Sequence, residues 1–267
     1  TTIMTADLDS TGTYIVAGAF NKTFKLMNAI AGGKAEDMRG STDVVMTVWF
    51  NRGGTKIASA SGDNQIWIWD FASRQAEMKL NGHAEDMYCL DFSPDGTKLA
   101  SGSKDKTIRI YDLREGKLLR ILKGHTNWVM DVEFSLDGLH LLSCSFDQTI
   151  RVWEIPTGKT IYTFIDHKEE VLDISFSPDG KTFASASNDK TIKIWQFSPE
   201  IFVDYYYRPQ VVGEMEDKKE FLPKQKSEKR EDYEERKLKA DEMKMEIYSR
   251  YYKKYLEDLK NGTLPTL

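Results

Sequence analysis

Two cysteines in 267 residues are too few for a disulfide framework. Small secreted domains of that kind need several bridges, so Cys89 and Cys144 point instead to a reducing, intracellular setting, cytoplasmic or nuclear. Long apolar runs are also lacking. No stretch reaches the roughly 20 apolar residues of a membrane-spanning helix, and no signal peptide is visible at the start. There is no basic excess: the net charge of −5 argues against a partner held through phosphate contacts. Histidines number only four, and the pattern described next absorbs three. No cluster with metal-ligand spacing remains. The SGSKDKT stretch at 101–107 lacks the spacing of a phosphate-binding loop. Neither a metal nor a cofactor is expected.

What the chain has is a period. The stretch GHTNWVMDVEFSLDGLHLLSCSFDQTIRVWE carries His125, Ser143, Asp147 and Trp153. His83, Ser101 and Asp105 occupy the same slots 42 positions earlier, with Tyr111 in place of the Trp. His167, Ser185, Asp189 and Trp195 occupy them 42 positions later. Ser59, Asp63 and Trp69 repeat them once more upstream, with Ser41 where the His would be. In the first unit the Ser, Asp and Trp slots hold Ala17, Asn21 and Met27. Turn signals at 8–12, 50–54, 92–96, 134–138 and 176–180 keep the same beat. A fixed period of this length marks a repeat architecture.

Each unit reads as four short strands. In the fourth these are 128–134, 139–145, 149–154 and 160–165, rich in β-branched residues and alternating in polarity. A lone four-stranded sheet with two apolar faces is unstable in water, and stacking such sheets radially buries both faces. The recurring polar residues can form one chain: Asp147 accepts from turn amides, His125 bridges Asp147 to Ser143, and the Trp153 indole completes it. Ser, His and Asp together suggest a hydrolase triad. A triad printed three times along one chain reads better as architecture.

These residues resemble the signature of the WD-repeat family: the Gly-His pair, the SPDG-type turn, the Asp and the closing Trp-Asp. The resemblance covers about residues 1–207 and is strongest from 83 onward. It implies an all-β propeller of four-stranded blades, in units of about 1–40, 41–82, 83–124, 125–166 and 167–207. The outer strand of the fifth is expected at 201–207. Rings in this family commonly close with seven blades, so the five visible units are expected to be the C-terminal part of a longer ring.

Composition changes near Pro209. Residues 208–225 read as a linker, 226–260 as a charged amphipathic helix and 261–267 as its end. From 214 to 260 there are 14 acidic and 14 basic residues, a mixed rather than basic segment. Met245, Tyr248, Tyr252, Tyr255 and Leu259 form a stripe at helical spacing, with Leu238 one heptad before. The stripe either packs on the rest of this chain or takes a partner helix. Asn261 and Gly262 should end the helix.

The resemblance implies a non-enzymatic scaffold for other protein subunits, with partners on the rim where the His loop and Asp turn emerge. Residues there differ between repeats: Asp86, Tyr88, Lys104, Trp128, Phe146 and Asn188. Trp128 and Phe146 are the candidate hot spots, against the alternative that they pack between blades. Trp67 also breaks pattern, since Arg109, Arg151 and Lys193 fill its slot elsewhere. A narrower alternative is a substrate receptor of a cullin-RING ubiquitin ligase, because 99–114 (LASGSKDKTIRIYDLR) resembles the attachment box of such receptors.

Overall fold

The computed structural model describes residues 2–216, 218–225 and 228–265. The chain divides into two compact units, Thr1–Gln196 and Phe197–Leu267.

The first unit holds five antiparallel sheets. Blade 1 comprises β1 (Ile3–Leu8), β2 (Tyr14–Ala19), β3 (Thr23–Asn28) and β4 (Glu36–Arg39). Blade 2 comprises β5 (Val45–Phe50), β6 (Lys56–Ser61), β7 (Gln65–Asp70) and β8 (Ala76–Asn81). Blade 3 comprises β9 (Met87–Phe92), β10 (Lys98–Ser103), β11 (Thr107–Asp112) and β12 (Lys117–Lys123). Blade 4 comprises β13 (Val129–Phe134), β14 (His140–Ser145), β15 (Ile150–Glu154) and β16 (Lys159–Phe164), each within a residue of the range expected from sequence. Blade 5 has three strands, β17 (Val171–Phe176), β18 (Thr182–Ser187) and β19 (Ile192–Gln196).

Consecutive blades stack by one rule. Apolar residues of one blade's second, third and fourth strands meet the next blade's first three strands. Ala60, Ile66, Ile68 and Leu80 of blade 2 thus pack on Met87, Leu90, Phe92 and Leu99 of blade 3. Blades 1 and 2 and blades 3 and 4 repeat the arrangement. Each of the larger side chains among them contributes about 1.5–3 kcal/mol by leaving water.

A second device joins the innermost strands. The carboxylate of Asp7 accepts the Phe50 N–H at 2.8 Å, Asp91 accepts Phe134 N–H at 2.6 Å, and Glu133 accepts Phe176 N–H at 2.7 Å. Asp131 accepts Ile174 N–H at 3.2 Å. Each of these bonds spans 43 residues, one repeat plus one, so each carboxylate reaches the next blade. In blade 2 the matching slot holds Trp49. The latch carboxylates are not all content as anions. Burial pushes the Asp91 carboxyl up to about 8, even though the Phe134 amide favours its charged form. A group with a raised folded pKa stabilises fully below its unfolded value, near 4, and loses that contribution as pH climbs toward 8. Asp91→Asn keeps an acceptor oxygen and cannot ionise. It is expected to melt with wild type near pH 4 and to exceed it by several kcal/mol, on the order of 5, at pH 8. Thermal melts across that range check this, and parallel curves at every pH would contradict it.

Blade 5 differs from expectation. Residues 201–207 are not a strand but lie inside α1 (Glu200–Glu216), in the second unit. The physical reason is packing. Phe202, Val203, Tyr206, Tyr207 and Val211 are buried at helical spacing. Ser198, Pro199 and Glu200 open the helix, with Phe202 and Val203 N–H donating to the Pro199 carbonyl. Pro at the first turn is a start signal, and here it outweighed the strand preference of an aromatic, β-branched run. The helix also continues through Pro209, where sequence suggested a linker. As a result, among the described residues, the outer edge of β19 pairs with no fourth strand. Ile192 and Ile194 are 74% and 68% exposed, while Ile150 and Val152, their counterparts in blade 4, are 1% and 0%.

The second unit pairs α1 with α2 (Arg230–Asn261), and a 3-10 turn, Lys219–Phe221, lies between. The expected helix start at Lys226 lies outside the described residues. The end falls as expected: Gly262 adopts a left-handed conformation, and Thr263 N–H donates to the Asp258 carbonyl at 2.8 Å. No described helix is long and apolar enough to cross a membrane.

Candidate protein-interaction site

The recurring polar residues form directional chains. In blade 4 the Trp153 indole N–H donates to Ser143 Oγ at 2.8 Å. Ser143 Oγ lies 2.7 Å from His125 Nε2, and His125 Nδ1 lies 2.8 Å from the Asp147 carboxylate. With the proton on Nδ1, every donor finds an acceptor. Burial holds the His125 pKa below its ordinary value, against the pull of Asp147, so Nε2 keeps its lone pair. Burial alone would raise the Asp147 carboxyl. Bonds from His125, Thr149 and Thr126 outweigh it and leave the carboxyl well below the usual range.

Blade 5 repeats the chain: His167 lies 2.7 Å from both Asp189 and Ser185, and Trp195 donates to Ser185 at 2.8 Å. Blade 3 keeps His83 to Asp105 at 2.9 Å and to Ser101 at 2.8 Å. There the Tyr111 hydroxyl, carried further from the backbone than an indole N–H, donates instead to the Asn81 carbonyl at 2.9 Å. In blade 2 the chain splits in two. Trp69 donates to Ser59 at 3.0 Å, while Asp63 accepts from Thr42 N–H and Oγ1, both at 2.8 Å. The Gly of the Gly-His pair has its own cause: a Cβ on Gly124 would sit 2.9 Å from the Trp153 ring.

The Ser143–His125–Asp147 distances are those of a hydrolase triad, yet the arrangement cannot meet a substrate. Ser143 is fully buried and already holds the Trp153 N–H. Each Asp instead fixes a turn whose next residue, Asn64, Lys106, Gln148 or Lys190, has φ of 61°, 69°, 70° and 67° in turn. That conformation costs a non-glycine residue about 1–2 kcal/mol, and the carboxylate bonds offset it.

These turns present the variable residues in pairs. Lys104 N–H donates to the Asp86 carbonyl, Phe146 N–H to that of Trp128, and Asn188 N–H to that of Glu170, at 2.9, 3.0 and 2.9 Å. The sequence named both members of the first two pairs, and Asn188 of the third, without showing that they meet. Trp128 stacks on Phe146 with ring centroids 5.2 Å apart and planes 19° from parallel. The Tyr88 ring lies 5.7 Å from Trp128, and Lys104 Nζ lies 5.2 Å from its centroid. Trp128 therefore spans blades 3 and 4, and all four side chains are half-buried. Burial, then Asp86 and Glu85, raise the Tyr88 hydroxyl pKa. Asn188 stands apart from this cluster, with its amide 3.3 Å from Glu170. Trp67 is a local packing choice: it lies against Trp69, at 6.0 Å, with Lys79 over its face.

The tail stripe divides. Tyr255 is fully buried within the helical unit, stacked on Phe202 at 5.3 Å and Tyr206 at 5.7 Å, so it has no surface to offer a partner. Tyr252 is half-buried beside Phe202, and the Tyr248 hydroxyl donates to Asp204 at 2.7 Å. Met245 and Leu238 face outward. Sequence reasoning missed Tyr251, which donates to Glu214 at 2.7 Å. Only the unrecognised α1 could have signalled it.

No curated protein matches the chain. The family described as WD domain, G-beta repeat matches at 34–70, 74–112, 116–154 and 158–196. Blade 1 lies almost wholly outside these matches, as its substituted slots would suggest, and still folds as a four-stranded blade. With more than half its residues matched and the Trp–Ser–His–Asp chains in place, this chain belongs to the WD-repeat family.

Proposed function

We propose that this chain is a non-enzymatic interaction scaffold, an intracellular WD-repeat subunit of a multi-protein assembly. WD repeats generally mediate binding to other proteins. The observation that carries the reading to particular residues is the cluster of Trp128, Phe146, Tyr88 and Lys104 at the turns of blades 3 and 4. Aromatic residues supply most binding energy at protein interfaces, and a few charges at the margin supply selectivity. Asp86, bonded through its carbonyl to Lys104 N–H, is such a charge, and Asn188 offers a polar group on the next blade.

Replacing Trp128 and Phe146 together by Ala is expected to weaken partner capture by about 2 kcal/mol, roughly thirty-fold. Tagged wild type and double mutant, compared by quantitative pull-down, check this. Undiminished capture of the same partners would move the site elsewhere, with the exposed Met245 side of α2 next in line. The ligase-receptor alternative gains nothing from the geometry of its box. Asp112 spends its carboxylate on the turn amides of Arg114 and Glu115, at 2.7 and 3.0 Å.

A further inference from the structure

Every innermost strand breaks its pairing at the same place. The register skips one residue between Ile3 and Thr5, Val45 and Thr47, Met87 and Cys89, Val129 and Asp131, and Val171 and Asp173. The skipped residues are Met4, Met46, Tyr88, Met130 and Leu172, one per blade at the 42-residue period. A β-bulge leaves its extra residue outside the ladder and re-aims its side chain. All five side chains are large, and none is in the core. Met4 is 43% and Leu172 37% exposed, and the other three are half-buried. Methionine is well suited to a contact surface, because its flexible, polarisable side chain adapts to what it meets.

Acid follows directly along the same strands. Asp131 and Asp173 come one residue after the bulge, and Asp91 and Glu133 three residues after it. Together with Trp49 they line a cavity of about 220 Å³, room for one long side chain. Burial raises the carboxyls of Asp91, Asp131 and Glu133, and Arg52 is the cation that acts on Asp91 and Glu133. A further cation brought into the cavity would favour their charged forms. The surface is thus apolar at the bulges and lined by carboxyls just beyond them.

We infer that the bulge belt docks a short segment of a partner protein, with a basic side chain entering the acid-lined cavity and its apolar neighbours lying on the methionines. The inference rests on the scaffold reading and adds the chemistry of what is held. Charge complementarity of this kind selects partners and sets register.

The test uses the full chain as bait for a phage-displayed library of random dodecapeptides. Selected peptides are then synthesised with arginine replaced by citrulline, or lysine by norleucine, which removes the charge and keeps the length. The result expected is enrichment of a basic residue between apolar ones, with at least a ten-fold loss of affinity on neutralising it. Asp131→Asn with Glu133→Gln, shown by melting to be folded, should erase that difference. Selected peptides without a basic residue, tolerance of citrulline or norleucine, or no captured peptide would each overturn the inference. The peptide swap needs no altered protein, so a misfolded variant cannot mask the answer. The scaffold reading is judged separately, by whether Trp128 and Phe146 are needed for capture of protein partners.

Discussion

Asp147→Ala is expected to destabilise the blade unit by about 3 kcal/mol, a fall in Tm of roughly 6–12 °C. The carboxylate accepts Thr126 N–H at 2.9 Å, Thr149 N–H at 3.0 Å and Thr149 Oγ1 at 2.6 Å, besides His125. Its removal leaves several donors unpaired where water has little access, and releases a turn held in an unfavourable conformation. Asp95 is the control. It too accepts from its turn, from Ser93 Oγ at 2.6 Å and Thr97 N–H at 3.0 Å, but at an exposed hairpin. Water replaces those bonds, so Asp95→Ala should cost less than half as much. All six tryptophans lie in the blades, so the fluorescence melt reports this unit alone. Equal midpoints for the two variants would contradict the structural role of the chain. The pH dependence has a definite sign. Asp147 is held below its usual range, so its contribution is complete above pH 4 and fades only as pH falls through the depressed value.

Tyr255→Ala should cost about 4 kcal/mol, the larger effect, and should fall on the helices. The ring is fully buried between Phe202 and Tyr206 and cannot be replaced by solvent without opening the pair of helices. Aromatic contacts of this geometry add to the burial itself. Met245→Ala, on the exposed side of α2, should change stability by less than about 0.5 kcal/mol. Helical circular dichroism at 222 nm during heating separates the two. If both variants melt with wild type, the two helices do not depend on this packing.

The parts of this molecule that the sequence made legible share a cause: they are chemically fixed and printed more than once. A turn needs Asp147 or its copies because only a short carboxylate reaches its amides. The ladder positions of Ile150 and Val152 read out from alternation alone. The latch was not legible, because its acceptor is Asp in blades 1 and 3 and Glu in blade 4, while blade 2 has a tryptophan in that slot and so no carboxylate latch there. A backbone N–H donates equally to an Asp or a Glu carboxylate that reaches it, so the slot carries no uniform residue. The stacking of Trp128 on Phe146 was half legible. Both residues stood out as departures, but their meeting depends on a backbone bond between two loops. Residues 201–207 misled for a different reason. Their composition suits a strand, and the decisive information lay some 50 residues away in Tyr251, Tyr255 and Asp258, which make a helix the better burial.

The 43-residue span of the latch bonds also sets how this chain can be made. A newly emerged blade needs only the next repeat to find its apolar cover and, in blades 1, 3 and 4, its backbone donor. Closing a loop of that length costs about 3 kcal/mol in chain entropy beyond a constant, and the cost is the same at every step. Assembly can therefore keep pace with translation, one blade per 42 residues, without waiting for the far end of the chain. A chain that has emerged from the ribosome as far as Glu154 already holds every strand of blades 1 to 3, with blade 4 lacking only its outer strand.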